Sequence, residues 1–347
     1  MNRLERLASR RTDSMVKNAM LLSEVYRDIQ QSDAVRYAVG AMQPIDQEYT
    51  KNTFAQGDRV RDQLKGRLTQ PCVYRYQGST TNDTHIRAKS DIDLLVIRDG
   101  WVWLEHPQVP QLPYAGDPKQ DMRNVRDSSC DALEDAFPQV EVDKSGAKSI
   151  SLEGGSLTRK VDVVPVTWWN TNKYAETGSE TWRGVTLFDI EKGEFIYNLP
   201  FLHNQRIEER DVQTFGGMRK AARLMKSLKY DAEKMDMSSY DITSIAYNIP
   251  NEWLAFKPPF ELRLVDSCRE YCRSLRSNET LRNQIVVPNN TRTVFDSTEG
   301  TNLMQLQQMI DELERLSADI LKENSRSFVK LAEARVEHPL RVRPISF

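Results

Sequence analysis

The sequence lacks the features that would tie it to a membrane, a thiolate metal cluster or a nucleic-acid backbone. It has no run of about 18 apolar residues and no signal-peptide pattern, so a soluble, cytoplasmic protein is expected. Its four cysteines, Cys72, Cys130, Cys268 and Cys272, match no disulfide framework, which suits a reducing compartment. Cys268 and Cys272 are four apart on an expected helix, but no histidine stands near them in sequence, which argues against zinc. With 48 basic and 50 acidic residues the net charge is −2, which excludes constitutive nucleic-acid binding through a broadly basic surface. Internal repeats and low-complexity stretches are also missing. What remains is an ordinary globular composition, 39% hydrophobic and 28% charged over 347 residues, long enough for two packed units.

The informative stretch is Gln77-Gly78-Ser79, a polar loop from Thr80 to Ser90, and then Asp91-Ile92-Asp93-Leu94-Leu95-Val96-Ile97. Alternation along a strand puts Asp91 and Asp93 on one side and Ile92 on the other. Leu94 to Ile97 continue as an apolar run, the pattern of a strand buried on both faces. Paired carboxylates at the wet end of such a strand suit a hard divalent cation. The Gly-Ser turn before them offers backbone N–H groups and a hydroxyl to a phosphate. A third acid, Asp162, sits alone in the second apolar strand Lys160-Val161-Asp162-Val163-Val164-Pro165-Val166. A lone carboxylate there is costly unless it is paired or binds metal. If the two strands are neighbours, Asp91, Asp93 and Asp162 converge and can support two cations about 3.5–4 Å apart, the arrangement of an in-line phosphoryl displacement.

The ordered set Gly78, Ser79, Asp91, Asp93 and Asp162 resembles the nucleotidyltransferase superfamily of DNA polymerase β, poly(A) polymerases, oligoadenylate synthases and cyclic GMP–AMP synthase. A second set narrows it: Arg223-Leu-Met-Lys226-Ser-Leu228 followed by Met237-Ser-Ser239-Tyr240-Asp241 is similar to the bacterial cGAS/DncV-like enzymes. The resemblance implies an α+β fold, bilobal, with a mixed β-sheet nucleotidyltransferase core, an N-terminal spine helix and a C-terminal helical lobe. It places the N-terminal helices and core in residues 1–204 and the lobe in 205–347. It implies Mg²⁺, or Mn²⁺, on Asp91, Asp93 and Asp162, and donor phosphates on Gly78, Ser79, Lys226 and Ser239, with Tyr240 stacked on the base. The implied activity joins NTPs into a cyclic di- or trinucleotide second messenger of bacterial antiphage signalling. The implied partners are the NTPs, a regulatory protein and a downstream effector that senses the product. No stretch matches the zinc insertion for DNA of the vertebrate synthase, so activation by double-stranded DNA is not expected, nor is the RNA-binding domain of a poly(A) or CCA-adding enzyme. A small-molecule (antibiotic) nucleotidyltransferase, a linear oligonucleotide synthase and a degenerate nucleotide-binding module remain as alternatives.

The rest of the chain supplies expectations about packing. Leu4, Leu7, Met15, Ala19, Leu22, Val25 and Ile29 form a helical stripe, and a long helix is expected from Ile45 to Leu68. Residues 71–76 are expected as a strand, Asp99-Gly100 as a turn, and Trp101 to Leu104 as a separate short strand. Ser128-Ser129 is expected to cap a helix. Trp168 and Trp169 are expected as packing at a strand end, with base stacking as the other reading. Residues 170–200 are expected to be irregular, with turns at Gly178, Gly184 and Gly193. Arg87 and Lys89 are expected to be solvated, or else to neutralise a triphosphate. Read by spacing alone, Arg219, Arg223 and Lys226 form the solvated face of an amphipathic helix. Leu303, Leu306, Met309, Ile310, Leu313, Leu316 and Ile320 form a strong core stripe.

Overall fold

The computed structural model describes residues 1–12, 31–88, 90–232 and 234–323. Met15, Ala19, Leu22, Val25, Ile29 and Lys89 therefore lie outside the described residues. The chain starts with helices α1 (Arg3–Arg11), α2 (Asp33–Met42) and α3 (Gln47–Arg67), then strands β1 (Cys72–Gln77) and β2 (Ile92–Leu104). Helix α4 (Pro118–Ala136) leads to β3 (Glu141–Asp143), β4 (Ile150–Glu153) and β5 (Val161–Asn170). A short helix α5 (Asn172–Thr177) precedes the hairpin of β6 (Arg183–Asp189) and β7 (Glu194–Asn198). Helices α6 (Pro200–Gln213), α7 (Gly217–Asp231), α8 (Ser239–Asn248) and α9 (Asn251–Leu254) follow. The last are α10 (Arg263–Ser277), α11 (Glu279–Gln284) and α12 (Leu303–Glu323). Among the described residues no helix is long and apolar enough to cross a membrane.

The chain divides into a sheet unit, Gln47–Asn82 with Lys89–Gln205, and a helical unit, Met1–Asp46, Asp83–Ala88 and Arg206–Phe347. The sheet unit is a mixed sheet in the order β1-β2-β5-β4-β3, with β6 paired to β5 and β7 to β6. Strands β2 and β5 are parallel and the other pairings are antiparallel. Ile92, Leu94 and Val96 pack into one core with Val60 and Leu64 of α3 and Val125 and Leu133 of α4. Leu95 and Ile97 pack on the other side with Val164, Val166 and Trp168. That double burial is why β2 and β5 carry almost continuous apolar runs. Helix α3 tolerates Gly57 because a Cβ there would stand 2.8 Å from Cε1 of Tyr76.

Several local expectations are corrected. Asp99-Gly100 is not a turn between two strands: β2 runs on to Leu104, and the irregularity appears as a register shift against β5 between Arg98 and Val102. A bulge bends a strand without ending it. Helix α4 starts ten residues before Ser128, capped by Asp117, which accepts from the backbone N–H groups of Lys119 and Gln120 ahead of Pro118. Ser129 lies inside this helix and donates to the carbonyl of Val125. Residues 170–200 are not irregular but hold α5 and the β6–β7 hairpin. Gly184 is a strand residue there, the register partner of Trp169, and a Cβ on it would run into Cε3 of that indole. Trp168 lies within β5, buried, with the Arg183 guanidinium 4.0 Å above its ring.

The helical unit has a core of its own. Leu7 of α1 and Tyr37 and Met42 of α2 share it with Met218 and Leu224 of α7 and Leu306, Met309 and Leu313 of α12. Helices α1 and α2, expected with the catalytic core, thus pack with the C-terminal helices, because Leu7 and the apolar residues of α2 belong to that core. Within it, the buried Asp231 carboxylate accepts from Arg10 Nη1 and from the Tyr37 hydroxyl, both at 2.6 Å. The Tyr37 phenol is pushed far above its usual range, first by burial and then by the Asp231 charge.

Two predictions follow from the packing. Asp231→Ala strands the Arg10 charge in the core and is expected to cost about 3–5 kcal/mol in urea denaturation. His203, at the start of α6, is buried, and burial holds its imidazole down at about 4. The folded state thus binds that proton less readily than the unfolded chain, so the stability from this group is full above about pH 6.5 and is lost as pH falls through 4. His203→Gln should flatten the fall in melting temperature between pH 6.5 and 4.

Candidate active site

The first two acids of the site are set by strand register. In the parallel pairing of β2 with β5, Asp93 stands directly opposite Asp162. Both side chains emerge on the face that carries Leu95, Ile97, Val164 and Val166, away from α3 and α4. On the other flank of β2, Gln77 of β1 is the register partner of Asp93, which brings the Gly78 turn beside that carboxylate. Gly78 has φ +91°, and a Cβ on it would lie 2.5 Å from Asp93 Oδ2. Only glycine meets both demands.

Asp91 is not part of the strand but precedes its first residue, Ile92. Its carbonyl accepts from Thr80 Oγ1 at 3.1 Å, closing the loop between the Gly-Ser turn and the acids. Burial, then the charges of Asp162 and Asp91, push the Asp93 carboxyl up to about 7, with Lys160 pulling the other way. The Lys160 ammonium donates to Asp162 Oδ2 at 3.2 Å. The turn itself is braced. Thr81 donates to the Gly78 carbonyl through its N–H (3.2 Å) and its hydroxyl (2.7 Å), and Asn204 of α6 donates to Thr81 Oγ1 (3.0 Å). Sequence reading missed Lys160, Thr80, Thr81 and Asn204. The first was visible as a lysine two residues before a lone strand acid, while Asn204 carried no local signal.

The remaining candidates belong to the helical unit. Ser238 caps α8, accepting from the Asp241 N–H at 2.9 Å, and Ser239 is the first helical residue, exposed. The Tyr240 hydroxyl donates to Asn289 Oδ1 at 3.1 Å, and the Arg292 guanidinium lies 5.5 Å from its ring centre. Lys226 and Arg223 correct the expectation of a solvated basic face: they are only 5% and 4% exposed. Lys226 Nζ donates to the Thr84 carbonyl at 2.7 Å.

Comparison with known proteins decides what this geometry belongs to. Residues 205–317 match the family model of the cGAS/DncV-like nucleotidyltransferase C-terminal helical domain. The cyclic dinucleotide synthase CdnE of Yersinia aleksiciae is 36% identical over 321 residues, covering 89% of this chain and 85% of that protein. The chain belongs to the bacterial cGAS/DncV-like nucleotidyltransferases. A c-di-GMP synthase of a Lachnospiraceae bacterium is 29% identical, covering 72% of this chain and 79% of its own. The solved STING-associated CdnE c-di-GMP synthase of Capnocytophaga granulosa superposes with a TM-score of 0.76 at 26% identity, covering 92% of this chain and 98% of that one. The family's mixed sheet and helical domain are thus both present here.

Whether the site could hold divalent cations is a question of its donors. Among the described residues no group of three or more His, Cys, Asp or Glu side chains stands close enough to form a cation cage unaided. The expected convergence is therefore a facing pair, Asp93 and Asp162, with Asp91 contributing its charge from the residue before the strand. That set fits Mg²⁺, which binds through one or two carboxylates and completes its shell with water and substrate phosphates. Asp93 is raised first by burial and then by repulsion from Asp162 and Asp91, and a divalent ion would relieve the repulsion.

Gly78→Ala adds a methyl group into the Asp93 carboxylate at a left-handed backbone position. It is expected to reduce nucleotidyl transfer at least about 100-fold, as ångström-scale misplacement does, while the circular dichroism spectrum stays that of the wild type.

Proposed function

We propose that this chain joins nucleoside triphosphates, in a Mg²⁺-dependent reaction, into a cyclic dinucleotide. The observation that carries the reading is the register pair Asp93–Asp162 beside the left-handed glycine turn at Gly78. The naming of its relatives as cyclic dinucleotide and c-di-GMP synthases supports the product class.

Asp91, Asp93 and Asp162 would hold the cations. Bound there, Mg²⁺ supplies charge to the leaving pyrophosphate and acidity to the acceptor ribose hydroxyl. Asp162 orients that hydroxyl and takes up its proton. Gly78 lets the donor phosphates approach the backbone, and the Ser79 hydroxyl and turn N–H groups donate to their oxygens. The exposed Ser239 hydroxyl and the Tyr240 ring serve the donor nucleotide, the ring by stacking on its base. Transfer occurs twice, once to make a linear intermediate and once to close the ring. The product acts as a second messenger in antiphage signalling, read by an effector protein. The description of the Capnocytophaga enzyme as STING-associated supports such an effector.

The test is to incubate the purified chain with each NTP combination and Mg²⁺, then identify products by mass spectrometry and nuclease digestion. A product resistant to phosphatase, with the mass of two nucleotides less two waters, is expected. The double variant Asp91→Ala, Asp93→Ala should incorporate no labelled NTP. Full incorporation by that variant, or adenylylation only of an added small molecule, would refute the reading.

A further inference from the structure

A cation stands beside the acids, and the reaction proposed above gives it no task. Lys160 immediately precedes β5, and its carbonyl accepts from the Ile92 N–H at 3.2 Å, where β2 begins. Alternation puts its side chain on the face of Asp162, and there its ammonium donates to Asp162 Oδ2 at 3.2 Å. The Asp162 side chain is only 19% exposed and stands opposite Asp93 in the register, while the Lys160 side chain is 34% exposed. The Lys160 charge also acts on Asp93, and the Asp91 charge acts on Lys160. One ammonium at the mouth of the two strands is thus within electrostatic reach of all three acids.

This placement sets up a competition. Two cations at one carboxylate repel each other, and at a half-desolvated strand end water and salt screen that repulsion only in part. A divalent ion that arrives alone therefore meets a carboxylate already neutralised by Lys160. A divalent ion that arrives on a triphosphate is different, because the phosphates carry more negative charge than the ion cancels. They offer the ammonium new acceptors. Lysine suits such an exchange: it is a point charge on a flexible stem with three rotatable donors, and it can change acceptor without moving the backbone.

We infer that Lys160 is a positioning residue that serves as the internal counter-ion of Asp162, weakening cation binding in the absence of nucleotide and passing to the phosphates when the cation arrives with a triphosphate. The inference deepens the synthase reading and rests on it, since it takes the three acids as cation ligands, but its test reads binding rather than turnover. The probe is Mn²⁺, titrated into the full-length chain and followed by the loss of the free-ion electron paramagnetic resonance signal. Lys160→Met removes the charge and keeps most of the stem.

Without nucleotide, Lys160→Met is expected to bind Mn²⁺ about fivefold or more tightly than wild type, and Lys160→Arg, which keeps the charge, to stay within about twofold of it. A lysine that only props up Asp162 predicts the opposite sign, because its loss would free the carboxylate and weaken binding. With a non-hydrolysable NTP analogue the order reverses: Lys160→Met binds the Mn²⁺–analogue complex about threefold or more weakly, since the phosphates lose a charged donor. Lys173→Met removes a lysine that pairs with Glu176 instead, at 3.0 Å, and controls for net charge. Lys160→Gln replaces Lys160→Met if that variant does not fold. Unchanged or weaker Mn²⁺ binding by Lys160→Met without nucleotide, equal tightening by Lys173→Met, an analogue complex bound no more weakly than by wild type, or Mn²⁺ binding by neither chain would each overturn the inference. If the wild-type chain makes no product, the synthase reading falls, and the titrations still decide the role of Lys160.

Discussion

Two like charges facing each other across a parallel strand pair are the constraint on which the site depends. Asp93 and Asp162 share one register position of β2 and β5 on an otherwise apolar face. Desolvating an ionised carboxylate costs several kcal/mol, and a second one opposite adds repulsion. The strands offset this with their other residues. Leu94 to Ile97, Val163, Val164 and Val166 are all buried, and each such side chain contributes about 1.5–3 kcal/mol. The sheet can therefore carry the unfavourable pair, and Lys160 on Asp162 removes part of the penalty. The remaining unfavourable charge is what a divalent ion would relieve under the proposed reaction, since such an ion gains most where carboxylates are left underpaired.

The surroundings of the pair follow from that placement. A turn that must pass within contact of Asp93 cannot carry a side chain, hence Gly78 at a left-handed φ. A glycine turn holds no side chain to anchor it, and Thr81 and Asn204 brace it instead. The acid that precedes the strand cannot rely on ladder hydrogen bonds for its position, and it is tied through its carbonyl to Thr80. Each device fixes an atom that the one before it left free.

How much of this was legible in the sequence depends on whether the signal was local. A charge inside an apolar run is local, and it pointed to Asp91, Asp93 and Asp162 as one group, though not to the absence of a closed cage. The Gly-Ser turn was legible in the same way, though not that Gly78 would stand at positive φ against Asp93. The start of α4 was misjudged because Ser128-Ser129 resembles a cap, while the stronger signal, Asp117 before Pro118, lay at the end of a proline-rich stretch. The β6–β7 hairpin was obscured because Gly178, Gly184 and Gly193 all resemble turns, and only Trp169 pressing on Gly184 shows why one of them is a strand residue. The grouping of α1 and α2 with the C-terminal helices was beyond reach, since periodicity shows that a stripe is buried but not against what.

The same limit explains the basic face of α7. Spacing of three and four marks Arg219, Arg223 and Lys226 as one side of a helix, and on base expectations that side is wet. Arg219 partly fits, pairing with Glu208 and Asp211. Arg223 and Lys226 do not, because what they meet is mostly backbone carbonyl, with the Asp83 carboxylate beside Arg223. An apolar residue at either position would leave the carbonyls of Asp83 or Thr84 without these donors, and an unmet buried polar group costs about 1–3 kcal/mol. A long cationic side chain can reach such a carbonyl while its methylene stem packs against apolar neighbours. Charge in a helix core here follows from an irregular segment packed against it, and that segment is irregular because it must leave the Gly-Ser turn and return to the acid strand.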